Sequence, residues 1–153
     1  MYTLHDIFEG NYRVSQKYGD RRWYYIKFGL AGHEGVDWAT PVGVKTLNPF
    51  QKARVLRAGF DSKYGWHVVL WDMKQLCAVW YCHLSKILVR VGEDISLGKA
   101  VALTGNTGNT TGAHIHVNFV ETTSTGGRKN IFNGYKGFLN ILDPKLVKWV
   151  LTK

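Results

Sequence analysis

Short apolar runs of strand length recur along the chain, separated by turns that are rich in glycine and polar residues. Within most runs apolar and polar positions alternate, or β-branched and aromatic residues predominate, which is typical of β-strands. The turns, such as RVGED, SLGK and GNTGNTTG, contain the glycine that tight connections need. The pattern predicts a mostly β protein built on an antiparallel sheet. The runs lie at 43–47, 53–60, 66–71, 77–84, 100–104 and 114–120.

Two kinds of segment depart from this pattern. DPKLVKWVL, at 143–151, has an apolar stripe at helical spacing, with Asp143 as N-cap and Pro144 at the first helical position. It predicts a short C-terminal helix. The segments around 15–32 and 122–138 are predicted to be long loops, and apolar sequence resumes after the second, which argues against a linker.

Length and charge indicate one basic folded domain at 1–153. The chain has 153 residues, of which 45% are hydrophobic, enough for one sizeable core. Twenty Lys and Arg against eleven Asp and Glu give a net charge of +9, which favours polyanions such as nucleic acid, anionic lipid or an acidic cell wall. The basic residues are scattered, so most are interpreted as a solvated surface.

The N-terminal segment MYTLHDIFEGNY contains an acid at Asp6 and has no apolar stretch of the length that a secretory signal needs. We therefore predict neither a signal peptide nor a membrane span. If the protein acts outside a cell, it is either released by other means or is a domain cut from a longer secreted chain.

Cys77 and Cys82 are predicted to be free, buried thiols. They lie in CAVWYC, which is typical of a single strand, and their odd separation places them on opposite faces. Their Cα atoms would be about 16 Å apart at ~3.3 Å per residue, whereas a disulfide needs ~7 Å or less.

The histidines suggest a metal site. On a strand, His114 and His116 project from one face with Cα atoms about 6.6 Å apart, so one can bind a metal while the other faces the same volume. GHEGVDWATPVG adds His33 and Asp37. In a straight strand these two would be about 13 Å apart, too far to share one ion, so the chain must bend near Gly35.

His83, in WYCHLS at the end of an apolar run, is a fifth candidate. Tetrahedral zinc uses four ligands, and catalytic zinc keeps one of these positions open. Some of the five residues must therefore lie outside the metal's ligand set, and spacing alone leaves open which. His5 and His67 are interpreted as ordinary polar residues that find hydrogen-bond partners.

Three segments together resemble the M23 (LytM, lysostaphin-like) zinc endopeptidases. GHEGVDWATPVGVKTL resembles the HxGxD segment of that family, WYCHLS its Y-x-H-L-S segment, and TGNTGNTTGAHIHV its G-x-T-G-x-[ST]-[ST]-G-x-H-x-H segment. Order and spacing also match, and the similarity runs from about Val14 to Glu121. The sequence after Glu121 matches none of the family's motifs.

The resemblance implies a role for each candidate residue. His33, Asp37 and His116 would bind one Zn²⁺ per chain and leave the fourth position to water. His83 and His114 would be the catalytic pair. One would accept a proton from the water, and the other would stabilise the oxyanion or deliver a proton to the leaving amine.

The resemblance also implies the fold and the activity. We expect the antiparallel β-sheet groove of the LytM/lysostaphin catalytic-domain type, with the loops at 15–32 and 122–138 as its walls. The expected function is zinc-dependent hydrolysis of peptide bonds in bacterial peptidoglycan, in the stem peptide or the cross-bridge. We expect a monomer that acts on the bacterial cell wall, outside the cytoplasm or as a phage lysis protein, and whose charge holds it on anionic wall polymers.

Two other classes of function remain as alternatives. One is a non-catalytic domain of the same fold that binds or activates a partner, although such domains typically lose zinc ligands. The other is a basic β domain that binds nucleic acid, which charge and aromatic content alone would allow. Retention of DNA or RNA at moderate salt, without lysis of cell walls, would distinguish the second alternative.

Overall fold

The computed structural model describes residues 1–152, and its main strands follow the apolar runs of the sequence. Two short helical segments are present, α1 (Arg22–Tyr25) and a 3-10 helix (Ile26–Phe28). Among residues 1–152, no helix is long and apolar enough to cross a membrane. The strands are β1 (Tyr2–Leu4), β2 (Val14–Gln16), β3 (Val36–Trp38), β4 (Lys45–Leu47), β5 (Lys52–Asp61), β6 (Gly65–Asp72), β7 (Cys77–Ile87), β8 (Asp94–Ser96), β9 (Ala100–Thr104), β10 (Ile115–Glu121), β11 (Phe138–Leu139) and β12 (Val147–Trp149).

Ten of these strands form one sheet with the order β2–β3–β10–β7–β6–β5–β8, to which β11 adds beside β10 and β9 joins β7 to β4. Every pairing in this sheet is antiparallel. The prediction of a mostly β, antiparallel architecture is therefore confirmed.

Alternation along β10 separates the two faces of the sheet. Ile115 and Val117 join the larger apolar cluster on one face, whereas Val120 packs in a smaller cluster on the other. His116 and Asn118 share the face of Val120, because side chains on a strand repeat every two residues. The face with the smaller cluster therefore also carries buried polar groups, and it is the floor of the groove described below.

The predicted C-terminal helix at 143–151 is wrong. The carbonyl of Asp143 accepts a hydrogen bond from the backbone N–H of Leu146 at 3.0 Å, which closes one turn, but the chain then enters β12. β12 pairs in parallel with β1, and the backbone N–H of Tyr2 donates to the Leu146 carbonyl at 2.8 Å. Backbone groups of β1 require a strand as partner, so tertiary pairing overrides the local helical signal.

The two predicted long loops lie side by side. The backbone N–H of Ala31 donates to the carbonyl of Gly134 at 2.8 Å. The rings of Tyr18 and Tyr135 stack with centroids 4.3 Å apart. The first of these loops contains α1 and the 3-10 helix, so it is partly ordered by its own hydrogen bonds. Several residues of the first loop and Lys136 of the second line the groove described below.

We expect both cysteines to be free and protected in the native protein. Cys77 packs in the larger cluster and Cys82 in the smaller, on opposite faces of β7, and burial raises the pKa of both thiols. A thiol reagent should therefore titrate two thiols in the unfolded, unreduced protein and react slowly with the folded protein. A count of zero in an unfolded monomer, or immediate reaction in the native state, would contradict this arrangement.

Candidate metal centre

Strand pairing places Asp37 beside His116 on the floor of the groove. The two residues are direct partners in the antiparallel register of β3 and β10. The Nδ1 atom of His116 lies 2.8 Å from Oδ1 of Asp37, and both side chains are buried. The sheet itself therefore fixes the first two members of the site.

His33 reaches the same point because the chain bends between it and β3. Its Nε2 atom lies 3.0 Å from Nδ1 of His116 and 3.4 Å from Oδ1 of Asp37. The bend includes Gly35, as predicted from the distance that His33 and Asp37 would have in a straight strand. A Cβ atom added at Gly35 would lie 2.5 Å from Oδ1 of Asn118 and 2.8 Å from Cε1 of His116, so only glycine allows this close approach.

Hydrogen bonds to the far nitrogens orient the two imidazoles. Nδ1–H of His33 donates to the carbonyl of Lys17 at 3.2 Å, and Nε2–H of His116 donates to Oδ1 of Asn118 at 2.7 Å. Each ring then presents its unprotonated nitrogen to the carboxylate of Asp37. With both rings in these neutral tautomers, three acceptor atoms face one another, and a cation between them would stabilise that arrangement.

The donor set fits zinc. Two imidazole nitrogens and one carboxylate oxygen form a common set of three protein ligands around catalytic zinc. Ligands at ~2.0–2.1 Å from a tetrahedral ion lie about 3.3 Å from one another. The separations among His33 Nε2, Asp37 Oδ1 and His116 Nδ1, at 2.8, 3.0 and 3.4 Å, are close to that value.

The electrostatics of the same atoms favour a cation. Burial raises the pKa of Asp37, but its contacts with His116 and His33 outweigh burial, and the net pKa is lowered. Burial lowers the pKa of His116, but its hydrogen bond to Asp37 and the charge of that carboxylate outweigh burial, and the net pKa is raised. The lowered pKa of Asp37 and the raised pKa of His116 both indicate that a positive charge beside the carboxylate is stabilised.

His83 and His114 lie against each other at the edge of this cluster, with ring centroids 4.9 Å apart. Nδ1–H of His83 donates to the Thr107 carbonyl and Nδ1–H of His114 to the Gly112 carbonyl, both at 2.7 Å, which leaves each Nε2 free. Nε2 of His114 is 3.7 Å from Oδ2 of Asp37. Burial lowers the pKa of His83 to about 4, so its imidazole is neutral at pH 7 and can accept a proton.

The structure thus brings all five predicted site residues into one groove, and it adds three that the sequence analysis missed. The ring of Tyr25 lies 5.3 Å from that of His33, and the buried carboxylate of Glu34 lies 3.4 Å from Nζ of Lys63. The sequence spacing of Tyr25 and Glu34 does not predict their place in the site, because both lie in segments outside the strands. Asn118 could have been found, since it lies two positions beyond a site histidine and therefore on the same face.

Comparison with known protein families gives a match that covers all five candidate residues. The sequence profile of peptidase family M23 matches residues 31–128. The chain belongs to peptidase family M23. All five candidate residues, from His33 to His116, lie within the matched segment, so the motifs that suggested the family are also the residues that the fold brings together.

Individual relatives agree with the M23 assignment. An uncharacterized metalloprotease of Buchnera aphidicola is 33% identical over 107 residues, which is 69% of this chain and 27% of the relative. The peptidoglycan DD-endopeptidase ShyA of Vibrio cholerae is 30% identical over 112 residues, 73% of this chain and 26% of ShyA. The chain therefore spans about a quarter of the length of these relatives.

A solved M23 structure confirms the fold class. The catalytic domain of the antimicrobial peptidase lysostaphin from Staphylococcus simulans superposes with a TM-score of 0.68 at 22% identity, covering 86% of this chain and 90% of that domain. At 22% identity, this similarity is evidence for a shared fold and for nothing more specific. The sheet and its groove are therefore of the lysostaphin catalytic-domain type, as the sequence motifs implied.

We expect Gly35→Ala to disturb this M23 site and to destabilise the fold. The new methyl group would overlap Oδ1 of Asn118 and the carbonyl of Val117, each 2.5 Å away. Overpacking of this kind costs about 1–3 kcal/mol of unfolding free energy. Gly59→Ala is the matched control, because a Cβ there meets nothing within 4 Å. Thermal or denaturant unfolding measures both variants, and equal stability of the two would contradict the close approach.

Proposed function

We propose that the protein is a zinc-dependent endopeptidase that hydrolyses peptide bonds in bacterial peptidoglycan, in the stem peptide or the cross-bridge. One observation carries the proposal: three acceptor atoms of His33, Asp37 and His116 converge at 2.8–3.4 Å in the floor of an open groove. Membership of the M23 family and the similarity to ShyA support the substrate class.

In this proposal His33, Asp37 and His116 hold one Zn²⁺ per chain. The bound ion would supply Lewis-acid activation of water and of the scissile carbonyl. The carboxylate of Asp37 balances part of the ion's charge, and the hydrogen bonds from the two imidazoles to Lys17 and Asn118 keep their nitrogens aimed at the ion. Hydrogen bonds within the protein therefore orient both imidazoles toward the proposed ion.

His83 and His114 are the proposed catalytic groups. Each is held by an Nδ1–H bond to a backbone carbonyl, so the free Nε2 of each ring can take or give a proton at a fixed position. One imidazole removes the proton from the attacking water. The other, once protonated, stabilises the developing oxyanion or protonates the leaving amine. Their adjacent rings, 4.9 Å apart, allow both to serve one scissile bond.

The proposed site of action is the bacterial cell wall, with the enzyme acting as a monomer. The net charge of +9 would hold it on the anionic wall and should make binding weaker as salt rises. Mass spectrometry of the fragments released from purified peptidoglycans with different cross-bridges tests the substrate class directly. Absence of any peptide-bond cleavage across these walls would contradict the proposal.

We expect Asp37→Ala and His116→Ala to bind far less than one zinc per chain, because each removes one of three protein ligands. Metal analysis after dialysis against a weak chelator measures the content. His5→Ala is a suitable control, since His5 lies outside the groove and contacts Gln51 instead. If both ligand variants keep the zinc content of the control, the proposed ligand set is incorrect.

We expect His83→Ala and His114→Ala to keep their zinc but to lose wall-lytic activity by about 10²- to 10⁴-fold, the usual contribution of general acid–base catalysis. Zinc content and unfolding temperature, measured on the same samples, separate a chemical defect from a folding defect. Near-normal activity in both variants with zinc bound would refute the catalytic roles and favour a non-catalytic M23 domain. If His114→Ala loses zinc while His116→Ala retains it, His114 is the zinc ligand and His116 the catalytic residue.

A further inference from the structure

The groove contains more positive charge than its own carboxylates neutralise. Two acidic residues line it: Asp37 faces the site histidines, and Glu34 is paired with Lys63 at 3.4 Å. Two further basic residues, Arg21 and Lys136, also line the groove and are exposed. Within residues 1–152, neither has a carboxylate within ion-pairing distance. The groove therefore presents one guanidinium and one ammonium group that no carboxylate in this part of the chain neutralises.

Both of these residues have a backbone conformation that normally favours glycine. Arg21 has φ 53° and Lys136 has φ 54°, in the left-handed region that costs a residue with a Cβ atom about 1–2 kcal/mol. Two neighbours of Lys136 in its loop are glycines with a similar backbone conformation, Gly134 with φ 87° and Gly137 with φ 93°. A long side chain at such a position has a local cost in backbone free energy, and residues in this conformation are more common at functional sites than elsewhere.

The two residues lie on the two loops that pack together. The guanidinium carbon of Arg21 lies 5.4 Å from the ring centroid of Tyr24, another residue of the groove lining. The carbonyl of Lys136 accepts a hydrogen bond from Nη1 of Arg128 at 3.0 Å, and the Arg128 guanidinium lies over the ring of Phe138 at 5.0 Å. The backbone carbonyl of Arg21 likewise accepts a hydrogen bond from the N–H of Tyr24 at 2.9 Å, so both backbones are held while both residues stay exposed.

We propose that Arg21 and Lys136 form a subsite for a carboxylate of the peptide substrate. The enzyme would then prefer peptides with a free carboxylate on a residue flanking the scissile bond over uncharged peptides of the same length. A guanidinium can bind a carboxylate through two parallel hydrogen bonds, and an ammonium adds a point charge. This inference rests on the proposed peptidase function. It adds that the preferred peptide substrates have a negative charge beside the scissile bond.

The test uses two synthetic peptides that differ only in a carboxylate or a carboxamide beside the scissile bond. The zinc-loaded protein should cleave the carboxylate peptide with a higher kcat/KM by about 10- to 100-fold, the usual gain from hydrogen bonds to a charged group. The difference should lie mainly in KM. Arg21→Gln and Lys136→Gln should each reduce this preference, and the double variant should abolish it. Glutamine keeps a Cβ atom at each position, so the backbone strain is unchanged.

Two exposed basic residues outside the groove lining supply matched controls. Arg13→Gln and Lys86→Gln remove the same net charge and should keep the full preference. Equal cleavage of the two peptides by the unaltered protein, or an equal loss of preference in the controls, would overturn the subsite.

A binding measurement separates this inference from the proposed function. Titration calorimetry of the two peptides with the His114→Ala protein reports affinity without turnover. Tighter binding of the carboxylate peptide, weakened by Arg21→Gln and unchanged by Arg13→Gln, supports the subsite even if no peptide is hydrolysed, in which case only the peptidase proposal fails. Hydrolysis of both peptides with equal binding leaves the peptidase proposal intact and removes the subsite.

Discussion

The antiparallel register between β3 and β10 is the constraint on which the rest of the site depends. It sets Asp37 opposite His116 and thereby fixes the separation of a carboxylate and an imidazole. A slip of one residue would turn every side chain of β10 to the opposite face. Such a slip would move the imidazole into the larger apolar cluster and lift Ile115 and Val117 out of it, so burial on one face specifies the polar site on the other.

Once that pair is fixed, the remaining residues are brought to it by backbone geometry. Gly35 allows the chain to fold back so that His33 reaches the same point, and backbone carbonyls near the turns hold the imidazoles of His83 and His114. A hydrogen bond at the far nitrogen orients each imidazole of His33 and His116 toward the carboxylate of Asp37. The positions of these three side chains therefore follow from the fold, and they match the positions that ligands of one bound cation would need.

Much of the fold and of the candidate site could be predicted from the sequence, for physical reasons. Period-two alternation marked the long strands, and the spacing of the site residues required the observed bend near Gly35. Pairing between distant segments has no local signature, so the strand at Val147–Trp149 was predicted as helix. The same reason explains why Tyr25 and Glu34 were missed. Their places at the groove depend on how the chain folds before β3, which no local spacing encodes.

The parallel pairing of β1 with β12 has a consequence for the order of folding. It joins Tyr2 to Val147, which are far apart in sequence, and bringing them together has a large loop-closure cost, so this pair should form late in folding. Leu4 and Val147 belong to the apolar cluster on the face opposite the groove. Transient opening of the chain ends would therefore uncover that cluster while β3, β7 and β10 stay paired. Aggregation through molecules in which β1 and β12 are unpaired would begin on the face opposite the groove.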